Sequence, residues 1–215
     1  MDGFLLAFKV RGISSNQVVQ QTKRLFSLKK VGHLGTLDPM AEGLLVLAVN
    51  RATRFSSFFL ESDKKYKAEV SFGAKTDTDD AMGEVIERSS YIPKETDIKQ
   101  ELNKFLGESL QNPPYFSALK HKGKPLYKYA REGEFISKPP RKINIYSVSN
   151  FSYSRNSCRF LVHCSKGTYI RSIARDLGDN LSSKAHLSAL KRVMQGEFYV
   201  EKSKIPSELN LEEMV

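Results

Sequence analysis

Residues 32–49, Gly-His-Leu-Gly-Thr-Leu-Asp-Pro-Met-Ala-Glu-Gly-Leu-Leu-Val-Leu-Ala-Val, pass from a glycine-rich loop into an unbroken apolar run. The run, 44–49, is short enough to be a buried strand. Upstream, Ser14-Ser15-Asn16 precedes apolar positions at Val18, Val19, Leu25 and Phe26, with Lys29-Lys30 and then Gly32 beyond them. That order predicts a helix with a side-chain N-cap, a basic C-terminal end and a glycine stop. Downstream, Asn50 is placed to cap a helix whose inward face is Ala52, Phe55, Phe58 and Phe59.

Further along, Tyr66, Ala68, Val70 and Phe72 alternate with polar residues, the period of a half-buried strand. Ile98, Leu102, Phe105 and Leu106 predict a helix over 96–107, and residues 112–125 break all periodicity, predicting a long loop. Two more strands are predicted around Ile143, Ile145 and Val148 and over 158–164. A helix capped by Thr168 and ending at Gly178 follows, and 185–193 reads as a final helix. The class is α+β, with strands mostly outside βαβ units.

The chain has 215 residues, 40% of them hydrophobic and 27% charged, with mean hydropathy −0.41. This excludes a disordered chain, and no run approaches the roughly 18 apolar residues of a spanning helix. Cys158 and Cys164 fall on one face of a predicted strand, unsuited to bridging each other. With no basic segment before the first apolar patch, a reducing, cytoplasmic setting is expected. The net charge of +10 is unevenly placed: residues 1–60 carry +5, 61–111 carry −4, 112–142 carry +6, 143–200 carry +5 and 201–215 carry −2. Separated basic segments suit a nucleic-acid partner, although surplus surface lysine would give the same sum.

Asp38 lies between glycines and a proline, which on its own reads first as an ordinary Asp-Pro turn and also fits a carboxylate held at a fixed angle. No phosphate-binding loop accounts for the glycines, since none is followed by Gly-Lys-Ser/Thr. Metal chemistry scores poorly as well. Asp77, Asp79 and Asp80 imitate the start of a calcium loop, but Met82 stands where glycine is needed and Arg88 where glutamate is needed. They read as a solvated turn. The four histidines have no zinc spacing, so no metal is expected.

Five ordered motifs then converge: Gly-His-Leu-Gly-Thr-Leu-Asp-Pro-Met-Ala-Glu-Gly-Leu-Leu from residue 32, Ser62-Asp63-Lys64-Lys65-Tyr66, Thr76-Asp77-Thr78-Asp79, Tyr115-Phe116-Ser117-Ala118-Leu119-Lys120, and His163-Cys164-Ser165-Lys166-Gly167-Thr168-Tyr169-Ile170-Arg171. Over about residues 3–200 the chain resembles the TruB family of tRNA pseudouridine synthases. The resemblance implies a central mixed, largely antiparallel sheet flanked by helices, and an enzyme that isomerises uridine 55 in the T loop of tRNA. Asp38 matches the nucleophile, with Arg171 its expected cationic partner. A cation beside a carboxylate opposes the pKa rise that burial causes. Tyr66 matches the tyrosine that stacks on the target base near C5, and Tyr169 and Leu190 match pocket-lining positions. His33 matches a histidine that takes the place of the extruded base. Lys9 matches the lysine of a Lys-Pro motif, with Val10 here in place of proline.

Residues 112–140 resemble a thumb-like insertion that closes on tRNA, making Lys120, Lys122 and Lys124 candidate phosphate contacts. No cofactor is implied. Expected partners are tRNA alone, through its T arm, with no membrane, no obligate protein partner and a monomeric state. Residues 1–215 are expected to form a single catalytic domain with an acidic tail over 201–215, and without the PUA-type module that many relatives carry. Two other readings remain: a non-catalytic RNA binder on the same scaffold, and a synthase directed to other RNAs by guide RNA and protein partners.

Overall fold

A computed structural model describes residues 1–215. By internal contacts the chain divides into two compact units. The first holds residues 1–67, 161–166 and 190–215; the second holds 68–160 and 167–189.

The first unit begins with β1 (Gly3–Lys9), α1 (Ser15–Leu25), β2 (Val31–His33) and β3 (Glu42–Val49). A short 3-10 segment and α2 (Ser56–Leu60) follow, leading to β4 (Lys64–Phe72). Later elements of the chain are β5 (Ala74–Thr76), β6 (Val85–Arg88), α3 (Glu95–Lys104), β7 (Gly107–Gln111), β8 (Lys120–His121), β9 (Lys124–Pro125) and α4 (Leu126–Arg131). The series closes with β10 (Arg141–Ser154), β11 (Ser157–Cys164), α5 (Ile170–Asn180), β12 (Ala185–Gln195) and β13 (Phe198–Tyr199). The main sheet has nine strands in the hydrogen-bonded order β1-β3-β12-β4-β11-β10-β7, with β2 on β3 and β13 on β12. It is mixed. β1 pairs with β3 antiparallel from Gly3↔Val49 to Lys9↔Gly43, whereas β12 joins β3 in parallel at Lys191↔Glu42 and Arg192↔Gly43.

Ser14 caps α1 as expected, in a reciprocal box in which its hydroxyl accepts from the Gln17 amide and the Gln17 side chain accepts from the Ser14 amide. One face of α1 buries Val18, Val19 and Thr22. The core of the first unit gathers Leu6, Leu34, Leu44, Val46, Ala48 and Val200, with Phe4, Phe59 and Phe198 packed against it. The N-terminal strand is tied down from late in the chain. The Phe4 amide donates to the Val215 carbonyl at 2.7 Å, the Val215 amide returns a bond at 3.0 Å, and Phe8 donates to Lys204 at 2.7 Å. In the second unit α3 packs on α5 and β10, burying Ile98, Leu102, Ile143, Ile145, Ile173 and Leu177.

Several local expectations are corrected. Residues 185–193 form strand β12, not a helix: buried positions run Ala185, Leu187, then Leu190, Arg192 and Met194. The one extra residue between Leu187 and Leu190 gives a spacing of three, which mimics a helical turn. From Asn50 the chain makes a 3-10 turn that runs into α2; Ala52 in the turn and Phe59 in α2 face the core, while Phe55 and Phe58 are exposed. Asn50 does not cap it; its side chain accepts from Lys30 and donates to the Met1 carbonyl. Leu106 is exposed, because α3 ends at Lys104 and Gly107 opens β7. Gly32 lies in β2 and does not stop α1. Tyr169, not Thr168, is the N-cap residue of α5, and Gly178 sits inside that helix, where a Cβ would meet the Ala185 amide nitrogen at 2.6 Å. Residues 112–125 are not all loop, since they contain the β8–β9 hairpin. Both cysteines are buried and unbridged.

Candidate active site

Asp38 opens a tight turn. The Ala41 amide donates to the Asp38 carbonyl at 3.0 Å, with Pro39 at the position where a fixed φ helps most. Leu37 and Met40 bury their side chains on either side of it, leaving Asp38 half-buried. The residue before the carboxylate is clamped at both backbone groups. Ser15, from the first turn of α1, accepts from the Leu37 amide at 2.8 Å and donates to the Leu37 carbonyl at 2.9 Å. Beyond the turn, the fully buried Lys9 sends Nζ to the Ala41 carbonyl at 2.6 Å and to Val10 at 3.0 Å. Burial pulls the Lys9 ammonium down to about 8; the nearby Asp38 carboxylate opposes this and the Arg192 cation adds to it.

Arg192 is the residue that sequence reasoning missed. It lies on β12 two positions after Leu190, so both side chains face inward, and the helical reading of 185–193 hid that parity. Its Nε donates to the Leu44 carbonyl at 2.8 Å and its Nη2 to the Gly35 carbonyl at 3.0 Å. Its cation also interacts with the Tyr66 hydroxyl. Tyr66 is buried on β4, and burial raises its phenol pKa while Arg192 works in the opposite direction. His33 sits half-buried on β2, held below its ordinary pKa by burial and by Arg192, with Nδ1 buried and without a hydrogen-bond partner. Thus Asp38, Lys9, His33, Tyr66 and Leu190 all lie in the first unit. His163 is paired with Asp63.

The second unit carries the remaining candidates. Arg171, on α5, is buried and donates to the carbonyls of Thr78 at 2.9 Å and Phe116 at 2.8 Å, with Asp80 at 3.8 Å. Arg175, one turn on, pairs with Asp79 at 3.1 Å. The acidic cluster is therefore no solvated turn: Asp79 and Asp80 are buried, and burial pushes the Asp79 carboxyl up to about 6 against the pull of Arg175. Gln111 holds Tyr169 much as Ser15 holds Leu37, accepting from its amide at 2.8 Å and donating to its carbonyl at 3.1 Å. The Arg141 guanidinium lies 5.7 Å from the Tyr169 ring centre. In the β8–β9 hairpin, Lys122 and Gly123 both take positive φ (48° and 82°), the two-residue turn that suits strand twist. Lys120 and Lys122 are exposed there, whereas Lys124 pairs with Glu132 and lies 4.4 Å from the Tyr129 ring centre. No grouping of three or more His, Cys, Asp or Glu side chains is placed to hold a metal ion, and no helix is long and apolar enough to cross a membrane.

Residues 23–170 match the family described as TruB family pseudouridylate synthase (N terminal domain). The chain belongs to the TruB family. Among TruB relatives, tRNA pseudouridine synthase B of Francisella philomiragia is 46% identical over 203 residues, covering 94% of this chain and 67% of that protein. The protein of the same name from Chromohalobacter salexigens is 46% identical over 200 residues, covering 92% of this chain and 65% of its own length. A solved Cbf5-Nop10-Gar1 complex contains a chain of 28% identity that superposes with a TM-score of 0.73, covering 94% of this chain and 51% of that one. An H/ACA RNP bound to a substrate RNA containing 2′-deoxyuridine gives 26% identity and a TM-score of 0.68, covering 92% and 48%. The chain thus spans about two thirds of the curated relatives' length and about half that of the solved chains. The pseudouridine synthase fold, a mixed sheet flanked by helices, is shared with these structures.

Proposed function

We propose that this chain is a tRNA pseudouridine synthase that isomerises uridine 55 of the T loop. The observation that carries the reading is Asp38 on a turn fixed from both sides, by Ser15 through Leu37 and by Lys9 through Ala41, in a chain of the TruB family. Isomerisation exchanges the C1′–N1 bond for a C1′–C5 bond, so it consumes no second substrate and needs no redox partner. A carboxylate attacks only if its angle is held, and the turn restricts that angle, with Lys9 and Ser15 fixing the backbone on either side. Tyr66 supplies the stacking surface for the extruded base, and Tyr169 and Leu190 supply pocket walls. Arg171 serves as the cation for the nucleophile, and His33 fills the gap left in the RNA loop. Lys120 and Lys122 contact phosphates of the T arm. The protein works in the cytoplasm as a monomer, as one catalytic domain with a thumb over 112–140, and needs no protein partner and no cofactor.

The test compares purified wild type and Asp38→Asn on T-arm RNA. Pseudouridine should form with wild type alone while both bind the RNA similarly; equal product from the variant would overturn the assignment. A second reading is favoured by the resemblance to Cbf5 in its complexes: a synthase directed by guide RNA and partner proteins. Product on a bare tRNA transcript excludes it.

A further inference from the structure

Three cations are buried in the first unit, Lys9, Lys64 and Arg192, and all three spend hydrogen bonds on backbone carbonyls. Arg192 stands apart. It is 1% exposed, and beyond hydrogen bonds to two carbonyls its cation interacts with a buried phenol, Tyr66. Burying a guanidinium without an anionic partner carries a desolvation cost that an apolar side chain of similar size would avoid. What the cation holds accounts for that cost.

Its two acceptors and the phenol belong to three pieces of chain. Gly35 lies three residues before Asp38, Leu44 six residues after it, and Tyr66 on a separate strand. One rigid planar group therefore joins both ends of the nucleophile loop to the ring that the proposed function places against the base. Gly35 itself is shaped for this approach: its φ is +136°, and a Cβ there would meet Arg192 Nη1 at 3.4 Å. We infer that Arg192 is a positioning residue of the reaction, fixing the Tyr66 hydroxyl relative to the loop that carries Asp38. The inference rests on the proposed roles of Asp38 and Tyr66. Lysine cannot replace it, because an ammonium does not present donors in a fixed plane. The same interaction gives the phenol its electrostatic surroundings, since the cation offsets part of the rise that burial imposes on Tyr66.

The experiment has two arms. In the first, single-turnover pseudouridine formation on T-arm RNA is measured for wild type, Arg192→Lys, Tyr66→Phe and the double variant. Arg192→Lys should slow the reaction by about tenfold with RNA affinity within about twofold, and by less than about threefold once Tyr66 is Phe. Equal slowing in both backgrounds would mean that Arg192 does not act through the hydroxyl. In the second arm, 3,5-difluorotyrosine is placed at position 66 and titrated by fluorine NMR in the free protein. Arg192→Gln should move that titration upward, with Arg192→Lys between the two; no movement overturns the inference. Should wild type form no pseudouridine, the functional reading fails, while the titration still decides whether Arg192 governs Tyr66.

Discussion

The hydroxyl of Ser15 holds both backbone groups of Leu37, accepting from its amide at 2.8 Å and donating to its carbonyl at 2.9 Å. Ser15 is itself 2% exposed, so neither bond is shared with solvent. Removing the hydroxyl leaves a buried amide and carbonyl unpaired one residue from Asp38. Ser15→Ala is expected to cost about 1–3 kcal/mol in stability and to lower kcat more than it raises KM for RNA. Thermal unfolding and steady-state kinetics check the two halves separately. Unchanged kcat with reduced stability would show that the turn holds its shape unaided.

Gly43 is required by its neighbour. Its φ is +104°, and a Cβ would lie 2.3 Å from the Arg192 carbonyl oxygen, in the parallel pairing of β3 with β12. Backbone cannot yield there as a flexible side chain would. Gly43→Ala should destabilise the fold by more than about 2 kcal/mol, whereas Gly123→Ala, whose added Cβ meets nothing within 4 Å, should lose less. Paired denaturant melts measure the difference.

The hairpin lysines should separate by their partners. Lys120 and Lys122 are exposed, while Lys124 is engaged by Glu132 and the Tyr129 ring. Removing one lysine–phosphate interaction reduces the slope of log affinity against log salt by about 0.7–0.9. Lys120→Ala and Lys122→Ala are expected to flatten that slope and Lys124→Ala to change it least, as read from RNA titrations across a salt series.

Asp79 gives a stability dependence of opposite sign to the usual carboxylate. Its folded pKa is raised to about 6 from 3.8, so the folded state holds its proton more tightly than the unfolded state. That contribution is complete below the unfolded value and is lost as pH rises through about 6. Asp79→Asn should remove this fall between pH 4 and 6, the window set by those two values. Unfolding free energies of both proteins across that range test the sign.

Legibility followed periodicity and local chemistry. The alternation from Tyr66 to Phe72, the Ser14 cap and the Asp-Pro turn are set by residues within a few positions, and each is found in place. What was hidden depends on partners far along the chain. Arg192 is inward only if 185–195 is a strand, and the carbonyls it holds, Leu44 and Gly35, lie 148 and 157 residues away. Asp79 and Asp80 read as solvated because their arginines, Arg175 and Arg171, come more than 90 residues later. The candidate site was legible as motifs, and its support through Ser15, Gln111 and Arg192 was not, since a clamp on someone else's backbone leaves no pattern of its own.

The bonds from Phe4 to Val215 and from Phe8 to Lys204 set an order of events. β1 is synthesised well before these partners, so its outer edge stays open until residues 204 and 215 have been made. Pairings of that sequence separation are slow to form, and an unpaired edge invites pairing with other chains meanwhile. A strand made early is thus among the last to be finished, and the vulnerable interval of this protein is its own synthesis.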